Sequence, residues 1–196
     1  PLSEERIEYS RREKNEILAE VDPPEANQLN RFNSLVAEVW KPRKPAYERF
    51  DQGVEHMKAD RVTPALESFR NALERYDGEP LFHAWKGAAL TELDRLEAGR
   101  QSLERALGIK PDVYRIRLFS GINYFELGRY RKSLEALDRA DSLLPDQPDV
   151  FYYRGRDYEE LGNRDRAAQQ YVEYLRRVQR GEKAEYARER LREWGY

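Results

Sequence analysis

The 196-residue sequence has no cysteine, one methionine and two histidines. Lack of cysteine excludes disulfides and thiolate chemistry, a composition that suits the cytoplasm and a bacterial periplasm or cell envelope equally. The two histidines, His56 and His83, do not form the His-Glu-x-x-His pattern that a helical zinc-peptidase site requires. There is no Gly-x-Ser-x-Gly elbow and no glycine-rich phosphate loop, and carboxylate pairs such as Glu159-Glu160 read as solvated helix faces. Neither catalysis nor a metal nor a cofactor is therefore expected of this chain. No apolar run approaches the length of a membrane span, and no signal peptide is recognisable, so direct membrane insertion is not expected. An excess of one charge is missing as well. The 35 basic and 37 acidic residues are mixed along the chain, for a net charge of −2. Nucleic-acid binding needs a concentrated basic footprint, and this chain has none. The chain opens at Pro1 rather than methionine, as expected of a processed chain or of a piece of a longer one.

Charged residues make up 37% and hydrophobic ones 39%, a balance that suits a thin continuous core under a large solvated surface. The order within it lies in the glycines. Gly53, Gly87, Gly121 and Gly155 stand 34 residues apart, and twelve positions after each comes a small residue: Ala65, Gly99, Ser133 and Ala167. Four further on stand Phe69, Leu103, Leu137 and Tyr171, and then Ala72, Ala106 and Ala140, with Tyr174 breaking the series. A glycine inside a helix costs about 1 kcal/mol relative to alanine, so a glycine kept in register four times points to a close helix–helix contact. Pro111 and Pro145 close two of the units, and Gly128 and Gly162 mark turns inside two of them.

This pattern, with Gly121 followed by Tyr124, Gly155 by Tyr158, Ala65 by Phe69, and terminal prolines, resembles the tetratricopeptide repeat (TPR) family. The resemblance runs from Pro45 to about Arg180. It implies an all-α fold, a right-handed superhelical solenoid of four helix-turn-helix repeats at 45–79, 80–113, 114–147 and 148–181. Local departures exist. The family's tryptophan slot holds Arg49, His83, Arg117 and Phe151, and its leucine slot holds Gln52, Lys86, Ser120 and Arg154. Apolar weight has moved to Phe82, Ile116 and Val150, one residue earlier, which predicts slightly rotated first helices. His56 fills a tyrosine slot and His83 a tryptophan slot, so both read as packing residues.

Residues 1–44 are foreign to the repeat. Ser3 with Glu4 and Glu5 predicts the start of a helix that stops before Pro23 and Pro24. Glu25 to Trp40 predicts a second helix, with Leu29, Phe32, Leu35, Val36, Val39 and Trp40 along one face. It reads as a cap on the first repeat, as a segment lying in the concave groove or as part of an interface with an upstream domain, with Lys41 to Pro45 a stiff linker. At the other end, 182–196 places Ala184, Ala187, Leu191 and Trp194 at helical spacing and reads as a C-terminal capping helix. The opening residues also resemble the close of CaaX-prenyl-protease-like gluzincin zinc metallopeptidase domains, through Pro1, Arg6 and Ile7 alone. Bacterial members of that family are frequently followed by TPR repeats.

In TPR arrays the first helices line a concave groove, and the resemblance carries its lining onto named positions here. These are Tyr47, Phe50, Val54 and Met57 in the first repeat, Leu81, Ala84, Ala88 and Thr91 in the second, and Arg115, Leu118, Ile122 and Phe125 in the third. In the fourth they are Asp149, Tyr152, Arg156 and Glu159. Co-chaperone members hold a C-terminal carboxylate with cationic and amide side chains at such places. Here the only cations are Arg115 and Arg156, so the expected partner is a protein or peptide segment with apolar anchors. Leu118, Ile122 and Phe125 also fit a core role. The functional expectation is a non-catalytic scaffold. The alternatives are the docking or regulatory tail of a bacterial membrane-associated zinc metallopeptidase whose catalytic domain lies upstream, and a module that self-associates into a homo-oligomer.

Overall fold

The computed structural model describes residues 26–196, and these form ten α-helices and no strand. The helices are α1 Ala26–Trp40, α2 Lys44–Lys58, α3 Val62–Arg75, α4 Pro80–Glu92, α5 Leu96–Ile109, α6 Tyr114–Glu126, α7 Tyr130–Leu143, α8 Pro148–Glu160, α9 Arg164–Arg177 and α10 Glu182–Trp194. The helix expected after Ser3 and the Pro1, Arg6, Ile7 motif lie outside the described residues, as do most side chains of the apolar face of α1. The linker into the repeats is shorter than the prolines suggested. Residues 41–43 form a turn, and Pro45 stands in the first turn of α2. There its fixed φ suits the helix and its missing N–H would have had no partner anyway.

Helices α2 to α9 form four antiparallel pairs. The turn inside each pair needs one residue in the left-handed region, and the 34-residue register supplies it each time: Asp60 (φ 56°), Asp94 (57°), Gly128 (68°) and Gly162 (74°). Asp tolerates this region better than most side chains, which is why the turns without glycine keep the same geometry. The following N–H then returns to the carbonyl five residues back, Arg61 to His56 at 2.9 Å and Arg95, Arg129 and Asn163 to Leu90, Tyr124 and Tyr158 at 2.8 Å each. These bonds satisfy carbonyls that the first helix leaves open.

Within a pair, the register glycine faces a large side chain of the second helix. A Cβ built on Gly53 would lie 2.5 Å from the Phe69 ring, and one on Gly87 or Gly121 would lie 2.7 Å from Cγ of Leu103 or Leu137. Gly155 faces the Tyr171 ring in the same way. Phe69, Leu103, Leu137 and Tyr171 are all completely or almost completely buried, so none can move aside. Between pairs, Phe82, Ile116 and Val150 are fully buried, so the apolar weight sits one residue before the tryptophan slot. His83 is also buried, and its Nε2 lies 2.7 Å from the Asp77 carbonyl, a contact that places the proton on Nε2. At the C-terminus α10 buries Ala184, Ala187 and Leu191 and stacks Trp194 on Tyr171, with ring centroids 6.1 Å apart. The last repeat thereby gains the apolar neighbour that a solenoid end lacks.

Each second helix packs on the first helix of the next pair, and neighbouring first helices also touch one another. Neighbouring second helices make no comparable contact among the described residues. The second helices are therefore splayed on the outside, and α2, α4, α6 and α8 lie side by side on the inside.

The glycine contact makes a paired prediction. Gly121→Ala adds a methyl against an immobile Leu137, and overpacking of that kind costs about 1–3 kcal/mol, partly offset by about 1 kcal/mol of helix propensity. Gly108 lies in α5 with open space around its Cα, so Gly108→Ala gains about 0.5–1 kcal/mol. Urea denaturation of the two variants is expected to show shifts of opposite sign; shifts of the same sign would remove the close-approach role from Gly121.

Candidate functional site

The inner face divides into two halves. In the first three repeats it is aromatic and apolar. Phe50 stacks on Phe82 at 4.7 Å, Tyr47 meets Phe82 edge-on at 5.0 Å, and Trp85 meets Phe119 edge-on at 5.1 Å. Trp85 also reaches Phe50 and Phe69 of the preceding repeat, so the aromatic row crosses α2, α4 and α6 without a break. The Arg115 guanidinium lies 5.4 Å from the Trp85 ring and 5.9 Å from Phe119, distances within cation–π range.

Four columns were expected to line this face, and they differ in what they present. The column one residue after each glycine, Val54, Ala88, Ile122 and Arg156, is half-buried throughout. The column three before it, Phe50, Ala84, Leu118 and Tyr152, is buried, with Leu118 packed against Leu137, Ala140 and Val150. Phe125 is buried as well, while Met57 and Thr91 in its column remain half-buried. In the outermost column Tyr47 and Leu81 are half-buried and Arg115 is exposed. The half-buried set thus surrounds a floor made by the buried set. Trp85, Phe119 and Tyr153, two residues before their glycines, belong to the same face but were not among the expected positions. Their signal is the same 34-residue spacing, interrupted only by Asp51 in the first repeat.

In the fourth repeat the face is polar and closed on itself. Arg156 is held between the Phe125 ring at 4.8 Å and the Tyr186 ring at 4.7 Å. Glu159 accepts hydrogen bonds from Tyr171 Oη at 2.6 Å and Tyr186 Oη at 3.0 Å and pairs with Arg190 at 2.5 Å. Lys183 pairs with Asp149 at 2.9 Å and lies over Tyr152 and Tyr153. Tyr186, Lys183 and Arg190 all come from α10, so the capping helix occupies the inner face at this end. Beside it, Glu126 is pushed above the usual carboxylate range by burial and by Glu92 and Asp94, against the opposing pull of Arg156. These carboxylates border the aromatic half with negative charge.

Among the described residues no cluster of three or more His, Cys, Asp or Glu could hold a metal ion, and no helix is long and apolar enough to cross a membrane. Four helical pairs stacked through their first helices, with an aromatic inner wall, define a repeat protein of the helical solenoid class. A family model described as tetratricopeptide repeat matches residues 50–114 and 120–183. The chain belongs to the tetratricopeptide repeat family. Among solved structures, it is similar to TTC0263, a thermophilic TPR protein of Thermus thermophilus, with 19% identity over 76% of this chain and 83% of that one and a TM-score of 0.69. MamA is similar at 20% identity over 80% of this chain and 86% of its own, with a TM-score of 0.58. The first TPR of Spaghetti (RPAP3), solved with the HSP90 peptide SRMEEVD, is similar at 13% identity over 60% and 93%, with a TM-score of 0.56. No curated protein matches the sequence.

Next to Arg156 in α8, a buried acid gives the fourth repeat a pH signature. Asp157 is completely buried, and neither carboxylate oxygen has a hydrogen-bond partner of good geometry. Burial pushes its carboxyl up to about 7, with Ser133 and Arg156 pulling it down and Glu160 adding to the rise. One repeat earlier the same slot holds Asn123, whose amide donates to Thr91 Oγ1 at 2.8 Å and to the Leu96 carbonyl at 3.0 Å. A raised folded-state value means that this group's stability is complete below about pH 4 and is lost as pH rises through about 7, because only the unfolded chain then ionises without cost. Asp157→Asn is expected to remove that loss and to stabilise the protein at pH 8 by about 1–4 kcal/mol, with little change at pH 4. Thermal unfolding of both proteins across this range measures it, and parallel pH profiles would contradict it.

Proposed function

We propose that the chain is a non-catalytic scaffold whose inner face, along the first three repeats, holds a segment of a partner protein through apolar anchors. The observation that carries this reading is the half-buried apolar set Val54, Leu81, Trp85, Ala88, Phe119 and Ile122, which rims a continuous aromatic row spanning three helices. A contiguous, partly exposed apolar wall is a recurrent mark of an interaction site. Aromatic walls suit binding because they present large area at small entropic cost. Glu92 and Glu126 at the border favour a basic residue beside the anchors. The peptide bound by the Spaghetti (RPAP3) domain is acidic, and the two cations available here, Arg115 and Arg156, both lie on aromatic rings. An apolar segment with a basic flank therefore suits this face better than an acidic tail. Fused behind a peptidase domain, the same face would serve as its docking surface; that reading requires His-Glu-x-x-His in the gene sequence upstream of Pro1.

Selection from a displayed peptide library tests the reading. The full chain is expected to enrich peptides with two or more large apolar residues and a nearby Lys or Arg. Ala88→Asp with Ile122→Asp is expected to weaken the enriched peptides at least tenfold, since each charge set against an apolar anchor costs about 1–3 kcal/mol. Both positions are half-buried, so the helical circular-dichroism signal is expected to persist. Enrichment of acidic C-terminal sequences, or unchanged binding in the double variant, would refute it.

A further inference from the structure

On the outer side of the array, between α3 and α5 and floored by α4, a cavity of about 360 Å³ is lined by Arg70, His83, Lys86, Arg95 and Arg105. Leu90, Ala98, Gln101 and Ser102 complete the wall, and no carboxylate is part of it. Four cations that converge on one cavity repel each other and call for an anion. Among the described residues, none of the four forms an ion pair. Burial, with Lys86 and Arg105, holds the His83 imidazole below the usual histidine range, against the opposing pull of its bond to the Asp77 carbonyl and of the Asp77 charge. Lys86 is likewise lowered by burial and by Arg70.

The repeat register shows that this site differs from its counterparts. Arg129 is the counterpart of Arg95 and pairs with Glu97 at 2.7 Å; the residue one period before Glu97 is Thr63. Arg139 is the counterpart of Arg105 and pairs with Asp112 at 2.7 Å; one period before Asp112 stands Gly78. Arg154, two periods after Lys86, pairs with Asp138 at 2.6 Å, and two periods before Asp138 stands Arg70. Each cation stands at the same register position as its counterpart, while the position of the counterpart's carboxylate holds a threonine, a glycine or a second cation. Polar His83 and Lys86 also occupy slots that the family fills with large apolar side chains, which leaves the space open.

We infer that this outer cavity is a binding site for a phosphate monoester. A dianion neutralises more of the converging charge than a carboxylate does, and guanidinium groups match phosphate oxygens in a bidentate way. The volume lies at the small end of ligand sites, enough for a phosphate and a compact body resting on Leu90 and Ala98. A soluble phosphorylated metabolite and a phosphorylated side chain present the same headgroup. The site is on the face opposite the peptide groove and does not depend on that reading.

Calorimetric titration of the full chain with inorganic phosphate, glycerol 3-phosphate, and a phosphoserine peptide beside its unphosphorylated form tests the assignment. One saturable site per chain is expected for inorganic phosphate and the phosphorylated ligands, and none for the unphosphorylated peptide. The stronger of glycerol 3-phosphate and the phosphopeptide identifies the source. Arg105→Gln, at an exposed position, and Arg70→Asp, which installs the carboxylate found at Asp138, are each expected to weaken binding at least tenfold. Arg131→Gln, a distant exposed cation, is expected to leave it unchanged. Bound phosphate is also expected to raise the thermal midpoint of the parent but not of Arg70→Asp, while Arg70→Asp alone raises the midpoint of the free protein. Absence of saturable binding, or binding that survives both Arg105→Gln and Arg70→Asp, would overturn the site.

Discussion

The contact between a helical glycine and one buried large side chain, repeated four times, is the constraint from which the rest of this structure follows. Without a Cβ at Gly53, Gly87, Gly121 and Gly155, the second helix approaches until Phe69, Leu103, Leu137 or Tyr171 fills the space. That close approach brings the two helices of each pair together, and the left-handed residue at the turn lets the chain reverse within a few residues. Once the pairs are alike, they stack with their first helices together and their second helices apart. Curvature and an inner face are consequences of a repeated steric fact, not separate features of the sequence.

The same register separates the two ends of the inner face. Trp85 and Phe119 keep apolar area half-exposed along the first three repeats, where nothing in the described chain covers it. In the fourth, Tyr186, Lys183 and Arg190 of α10 bring Glu159, Asp149, Tyr152 and Tyr153 into a closed network. A solenoid has to bury its last apolar face, and here the cap does so partly from the inside. The half-exposed aromatic face is shortened by the element that stabilises the array.

Repetition made much of this readable in the sequence. The four pairs, the buried shift to Phe82, Ile116 and Val150, and the packing role of His83 follow from counting in steps of 34, and α10 from the helical spacing of Ala184, Ala187, Leu191 and Trp194. What the count alone does not give is how far the first helices are rotated. Phe50, Leu118 and Phe125 share a predicted face with Val54 and Ile122, yet a turn of the helix axis by a fraction of a residue places them in the core. Trp85, Phe119 and Tyr153 keep the same register, but the groove positions that the family resemblance supplies leave their column out. The contribution of Tyr186 was not legible, since α10 lies outside the repeat and its docking depends on tertiary contacts. The cationic cavity became visible only when ion pairs such as Arg154 with Asp138 showed what the other repeats contain at the same positions.

The central claim is that the inner face of the first three repeats is where a partner segment lies. Methyl NMR of the chain with a bound apolar-anchored peptide tests this most directly. The account predicts shifts and peptide-to-methyl contacts at Val54, Leu81 and Ile122, with the outward-facing Leu144, Leu161 and Val172 unaffected. Contacts confined to Leu144, Leu161 or Val172, with Val54, Leu81 and Ile122 unmoved, would contradict it.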